Sequence, residues 1–241
     1  MDYFQESSGL SKTAQLCLHP DKSDYISMAV DAGAYKDCLV QTKQWDSKHQ
    51  KQVYLEIGAH VGVCVLEMLL NTKATVVAVE AHPKNLFSLT STLLKNPKLL
   101  ERISVLPVAL GKETTPNAAL VLPKLDDYAT VTIASDQLGT VAMDRLDDLL
   151  YPGGVQQVSL NVNGYECNVI DGGIKFMRKL STLTFAVSPD GLEKYGCTSE
   201  VLLAKVEATV GQTKWYRGAT GRLRPTPTKR QGFIGVAKKK F

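Results

Sequence analysis

Two glycines that follow one acid, with a second acid at a set distance downstream, are the first residues in this chain able to do chemistry. They are Glu56, Gly58 and Gly62 within Glu56-Ile57-Gly58-Ala59-His60-Val61-Gly62, and Glu80, 22 residues after Gly58. Gly58 and Gly62 let the backbone turn tightly and approach a ligand where a Cβ would obstruct it. Amides that open a helix after such a turn receive a carboxylate, such as that of a methionine moiety. Glu56 is placed to face a cationic ligand group, and Glu80 has the spacing to accept hydrogen bonds from both hydroxyls of a ribose. Together they imply an adenosine ligand. A dinucleotide fingerprint needs glycines at positions 58, 60 and 63, but the chain has His60 and Val63, so NAD is disfavoured. Taken singly, each feature is equally well a tight strand-to-helix turn or a solvated strand-end acid. Only the two in register favour a ligand.

The elements that must hold these residues follow from hydrophobic period. Short β-branched runs at 52–57, 74–79, 103–107, 155–162 and 183–187 read as buried parallel strands. Helix-length segments at 64–70, 83–94, 166–178 and 199–210 alternate with them, which is the pattern of a doubly wound sheet. Two more strands are expected at 214–219 and 232–237. The fold class is therefore α/β: a Rossmann-like, doubly wound, seven-stranded sheet, mostly parallel with an antiparallel last strand. Residues 1–50, with one helical stretch at 24–30, read as an N-terminal helical extension, and 51–241 as the Rossmann-like domain.

In order, these motifs resemble the FkbM-type methyltransferase family, class I enzymes that use S-adenosylmethionine and mostly methylate hydroxyl groups. The family's Asp-x-Gly-Ala-Asn-x-Gly turn is matched by Glu56 to Gly62, and its acid-Pro-x-Pro element by Glu80-Ala81-His82-Pro83. Its Ala-Leu-Gly is matched by Ala109-Leu110-Gly111, and its Leu-Asp-Asp-Leu by Leu146-Asp147-Asp148-Leu149. Upstream, Asp24-Tyr25-Ile26-Ser27 and Gly33-Ala34-Tyr35 look like the segment before the first strand, so the likeness spans roughly residues 21–190. The resemblance implies S-adenosyl-L-methionine as cofactor, held by Glu56, Gly58, Ala59, His60, Gly62, Glu80, Ala81, Ala109 and Leu110.

The departures fall where methyl transfer takes place. The family's Lys-x-Asp-x-Glu-Gly-x-Glu stands here as Ser159-Leu160-Asn161-Val162-Asn163-Gly164-Tyr165-Glu166, and Phe185-Ala186-Val187-Ser188 lacks the acid often found in the fifth strand. Taking the proton from a hydroxyl acceptor helps the transfer, yet asparagine orients a substrate without accepting a proton at neutral pH. The resemblance thus puts Asn161, Asn163, Tyr165 and Glu166 at the catalytic position with three outcomes open. Catalysis rests on proximity and orientation, or on a base such as Glu166 or Tyr165, or the protein is a non-catalytic binding module for nucleic acid or a protein partner.

Charge adds a candidate for substrate binding. From Thr209 to Phe241 there is no acid among nine basic residues, and the rest of the chain carries five more acids than bases. Arg222, Arg224 and Arg230 sit in an expected loop that would overhang the substrate entrance and clamp an anionic small molecule or a nucleic acid backbone, unless it is only a solvated charged edge. The five cysteines form no Cys-x-x-Cys pair, which argues against a disulfide framework and a structural zinc site. The four histidines show no ligand spacing either, so no metal is expected. With no run long enough to cross a bilayer and no membrane partner indicated, the chain reads as soluble and cytoplasmic, in a reducing compartment.

Overall fold

The computed structural model describes residues 2–5, 12–19, 24–32, 38–45, 52–121, 132–149, 154–217, 222–224 and 233–239. A hairpin, β1 (Asp2–Gln5) with β2 (Lys12–Gln15), and two short helices, α1 (Tyr25–Asp31) and α2 (Cys38–Gln44), precede the main sheet. Its first strand is β3 (Val53–Ile57), followed by α3 (Val63–Asn71), β4 (Thr75–Val79), α4 (Pro83–Lys95) and β5 (Ile103–Leu106). After a second sheet come β10 (Val155–Leu160), α5 (Glu166–Asp171), α6 (Ile174–Met177), β11 (Thr182–Ala186), α7 (Pro189–Glu193), α8 (Ser199–Thr209), β12 (Gln212–Arg217), β13 (Arg222–Arg224) and β14 (Phe233–Lys238).

The main sheet runs β13-β12-β14-β11-β10-β3-β4-β5. The pairs β5–β4, β4–β3, β3–β10 and β10–β11 are parallel, and β14 inserts antiparallel between β11 and β12. The seven expected strands are all present, and three-residue β13 adds an eighth at the edge, antiparallel to β12. Alternation along the central strands explains why both faces are covered. Leu55, Ile57, Val77 and Val79 join the core beneath α5 and α8, whereas Tyr54, Val76 and Ala78 join the core beneath α3 and α4.

Three features depart from the sequence expectation. Between β5 and β10 lies a four-stranded sheet of β6 (Ala109–Gly111), β7 (Thr115–Val121), β8 (Thr132–Leu138) and β9 (Val141–Arg145), in the order β6-β9-β7-β8. The single helix expected at 166–178 is broken at Gly172-Gly173, where glycine is required: a Cβ at 172 would strike the Gly111 carbonyl and one at 173 would come within 2.7 Å of Leu146 Cδ2. Finally, Cys38–Cys64 and Cys167–Cys197 form disulfides across 26 and 30 residues, correcting the expectation of unpaired cysteines, and Cys17 is free. Their partners meet only in the fold, where α2 packs on α3 and the loop before α8 returns to α5. Disulfides persist in oxidising environments, so the cysteine pattern no longer supports a reducing compartment. No helix among the described residues is long and apolar enough to cross a membrane.

Candidate functional site

The C-terminal ends of β3 and β4 meet at the place where an open α/β sheet offers a crevice. There Gly58, His60 and Gly62 all take left-handed φ values, +86°, +52° and +91°. The glycines are required on two counts. A Cβ at Gly58 would collide with the Asn161 carbonyl oxygen, and one at Gly62 would sit 2.5 Å from Leu89 Cδ1. The Gly58 and Ala59 amides both donate to Val79 O at 3.0 Å, tying the turn to β4, and Gly62 leads directly into α3.

Glu80 organises this turn from the side. Its Oε2 accepts from the His60 amide at 2.8 Å, and its Oε1 from the His82 amide at 2.9 Å and Asn85 Nδ2 at 3.1 Å. With a further bond from the Ala81 amide, four donors occupy the roughly four lone-pair sites of a carboxylate. A ribose hydroxyl would share or displace one of them. Burial raises the Glu80 pKa despite these bonds. Glu56 is buried at the end of β3, where desolvation pushes its pKa up to about 7 while the Tyr54 hydroxyl, which donates to Oε2, and Ser159 hold it down in part.

Two clefts open on either side of the turn. One is lined by Glu56, Gly58, Ala59 and His60 together with Gln41, Ser159 and Asn161. The other, the larger, takes in Gly58, His60, Glu80, Ala81, Ala109, Leu110, Asn161 and Asn163. Of the residues expected to hold cofactor, only Gly62 lines neither cleft, because it caps α3 beneath Leu89.

The expected catalytic residues divide. Asn161 is exposed and lines both clefts; Asn163, at φ +55°, lines the larger. Tyr165 and Glu166 line neither, against the expectation that one of them serves as a base. Tyr165 is packed edge-on against Tyr195 with its hydroxyl 4.0 Å from Met143 Sδ. Glu166 is buried at the start of α5, accepting from the Val162 amide at 2.9 Å, and burial raises its pKa. Both follow the Val162-to-Tyr165 turn, in which Gly164 packs so closely on the Gly191 backbone that a Cβ there would collide with it.

Arg222 and Arg224 belong to β13, so this part of the expected loop is a strand. It lies five strands from β3, roughly 24 Å at ~4.8 Å per strand. Arg230 falls outside the described residues.

Residues illegible as site components along the chain also converge here. Leu120 of β7 and Ile133 of β8 wall the larger cleft from the second sheet, with Ile26 of α1 and His82 and Asn85 of the β4–α4 segment. His19, Asp24 and His60 come together although no ligand spacing links them in sequence: one ligating atom of each lies within 4.8 Å of the others, and all three are buried. His19, Asn85, Leu120 and Ile133 lie outside the motifs quoted above, and only topology gathers them with Asp24, Ile26, His60 and His82, which lie within.

No protein-family model matches the chain, and no curated protein does. Solved structures do. The chain is similar to a TehB-like SAM-dependent methyltransferase from Corynebacterium glutamicum, at 10% identity over 92% of this chain and 100% of that one, with a TM-score of 0.53. It also aligns with a precorrin-6y C5,15-methyltransferase from Geobacter metallireducens, at 16% identity over 84% of this chain and 87% of that one, with a TM-score of 0.45. The first likeness shows a Rossmann-like methyltransferase fold.

Proposed function

We propose that this chain is an S-adenosylmethionine-dependent methyltransferase that acts on a hydroxyl oxygen of an anionic substrate. The observation that carries the reading is the left-handed Gly58–Gly62 turn between two clefts, with buried acids Glu56 before it and Glu80 beside it. In this reading the amides opening α3 take the methionine carboxylate, Glu56 faces its ammonium, and Glu80 with Ala81, Ala109 and Leu110 holds the adenosine. The bound cofactor supplies an activated methyl group on a sulfonium. Asn161 and Asn163 line the path to it and orient the acceptor by hydrogen bonds. With no carboxylate at those positions, rate comes mainly from positioning, a contribution that reaches several kcal/mol in well-oriented systems. The order of motifs resembling the FkbM-type family supports oxygen as the acceptor, and the acid-free basic run from Thr209 to Phe241, with Arg222, Arg224 and Arg230, supports an anionic one long enough to span the roughly 24 Å between β3 and β13.

Calorimetry with S-adenosylmethionine tests the first step. Saturable heat that Glu80→Ala strongly weakens is expected, and no heat at high cofactor concentration overturns the reading. Transfer of a labelled methyl group to a panel of hydroxyl compounds tests the second.

One observation favours a different reading. Tyr165 and Glu166 turn away from the clefts and amides replace the remaining acids, so a protein that keeps the fold without turnover would look the same. Such a binding module would hold RNA or DNA through its basic end. Salt-sensitive binding lost when Arg222, Arg224 and Arg230 are changed together supports it; salt-insensitive or absent binding counts against it.

A further inference from the structure

His60 is a poor fit for a merely structural turn residue. It is buried at a left-handed backbone position, and neither Nδ1 nor Nε2 has a hydrogen-bond partner. Asp24 faces it from the start of α1, with its Oδ1 3.4 Å from His60 Nε2. That oxygen also caps α1 by accepting from the Ser27 amide at 3.0 Å, while Oδ2 is buried without a partner. Unbonded polar atoms of this kind are costly to bury.

His19 completes the arrangement with a defined tautomer. Asn85 donates through Nδ2 to Glu80, so its Oδ1 is the acceptor of the 2.8 Å bond with His19 Nε2. The proton therefore sits on Nε2, and Nδ1 is the lone-pair nitrogen of that ring. A histidine that donates one ring N–H to a carbonyl while the other nitrogen carries a lone pair is the orientation metal-binding histidines adopt.

We infer that His19, Asp24 and His60 form a binding site for a divalent transition metal, best suited to zinc, which pins the segment before α1 onto the Gly58–Gly62 turn. Two imidazoles and one carboxylate are the donor set of open zinc sites, and ligands at ~2.0–2.2 Å in tetrahedral array lie roughly 3.4 Å apart, the His60–Asp24 separation here. The metal supplies a partner to His60 Nε2 and to the buried Asp24 carboxylate, through Oδ1. Through His19 and Asn85 it also fixes Glu80, so the site sits behind the proposed nucleoside cleft. It does not depend on that cleft being occupied.

The test uses the full chain, tag removed, stripped with a chelator and titrated with Zn²⁺ against a chromophoric competitor, with no S-adenosyl compound present. One Zn²⁺ per chain is expected, with a rise in melting temperature. His60→Asn tolerates the left-handed position, and Asp24→Asn keeps the α1 cap. Each is expected to fold as the parent does and to bind Zn²⁺ at least roughly 100-fold more weakly, the upper end of what loss of a supporting group alone costs. Cobalt(II) in the parent should give the intense visible band of a tetrahedral site, absent in both variants. Failure of the parent to bind Zn²⁺, or parental affinity in the folded variants, overturns the assignment.

Discussion

Replacing Glu56 by Gln separates what this acid costs the fold from what it does for a ligand. Its carboxyl is raised from 4.5 to about 7, chiefly by desolvation, with the Tyr54 and Ser159 hydroxyls acting the other way. A group whose folded pKa lies above its unfolded value binds its proton more tightly when folded, so its contribution is fully present below about pH 4.5 and is lost as pH rises through about 7. A shift of that size corresponds to about 3 kcal/mol, or roughly 6–12 °C in melting temperature for a domain of this length. Glutamine is neutral throughout and still offers an oxygen to the Tyr54 hydroxyl. Urea titrations from pH 5 to pH 8.5 should therefore show the parent losing stability across the window while Glu56→Gln stays flat, the curves diverging by up to about 3 kcal/mol at the alkaline end. Calorimetry should run the opposite way: S-adenosylmethionine binds the parent more tightly above pH 7, where Glu56 is ionised and can pair with the ligand ammonium, and the variant loses that gain. Parallel stability curves would refute the buried, protonated state of Glu56. Diverging curves with unchanged affinity would instead leave the acid without a ligand role.

Glu80→Gln removes an acceptor that four donors share and puts an amide N–H against them, so cofactor affinity should fall tenfold or more, about 1.4 kcal/mol, in calorimetry on protein with unchanged circular dichroism; parental affinity would remove Glu80 from the site. Gly58→Ala forces a left-handed alanine, costing roughly 1–2 kcal/mol, and drives a methyl into the Asn161 carbonyl, so melting temperature and cofactor affinity should drop together. Alkylation of the folded, unreduced protein followed by mass spectrometry should modify Cys17 alone, and all five cysteines after reduction in denaturant; five modified thiols before reduction would mean the pairs are not formed.

The main sheet was legible because parallel strands buried on both faces leave uninterrupted β-branched runs, and 52–57 and 74–79 match β3 and β4 to within a residue. The second sheet escaped because its strands lack an uninterrupted apolar run: β7 reads Thr-Pro-Asn-Ala-Ala-Leu-Val, with only Ala118 fully buried. The glycine turn and Glu80 could be read because their chemistry is local, each fixed by backbone needs within a few residues. The roles of Tyr165 and Glu166 could not, since Tyr165 is buried against Tyr195 and Met143, far along the chain, and Glu166 is buried on the Val162 amide. Position 60 joins both cases. Its place in the turn follows from the motif, but the partners that make a histidine there meaningful arrive from before α1 and from α4, through Asp24, His19 and Asn85. If that cluster holds zinc, the substitution of histidine for the asparagine of the resembled motif is not a neutral variant of a nucleoside turn: it adds a second ligand site to the same loop, and the two can be separated by measuring metal and cofactor binding each in the absence of the other.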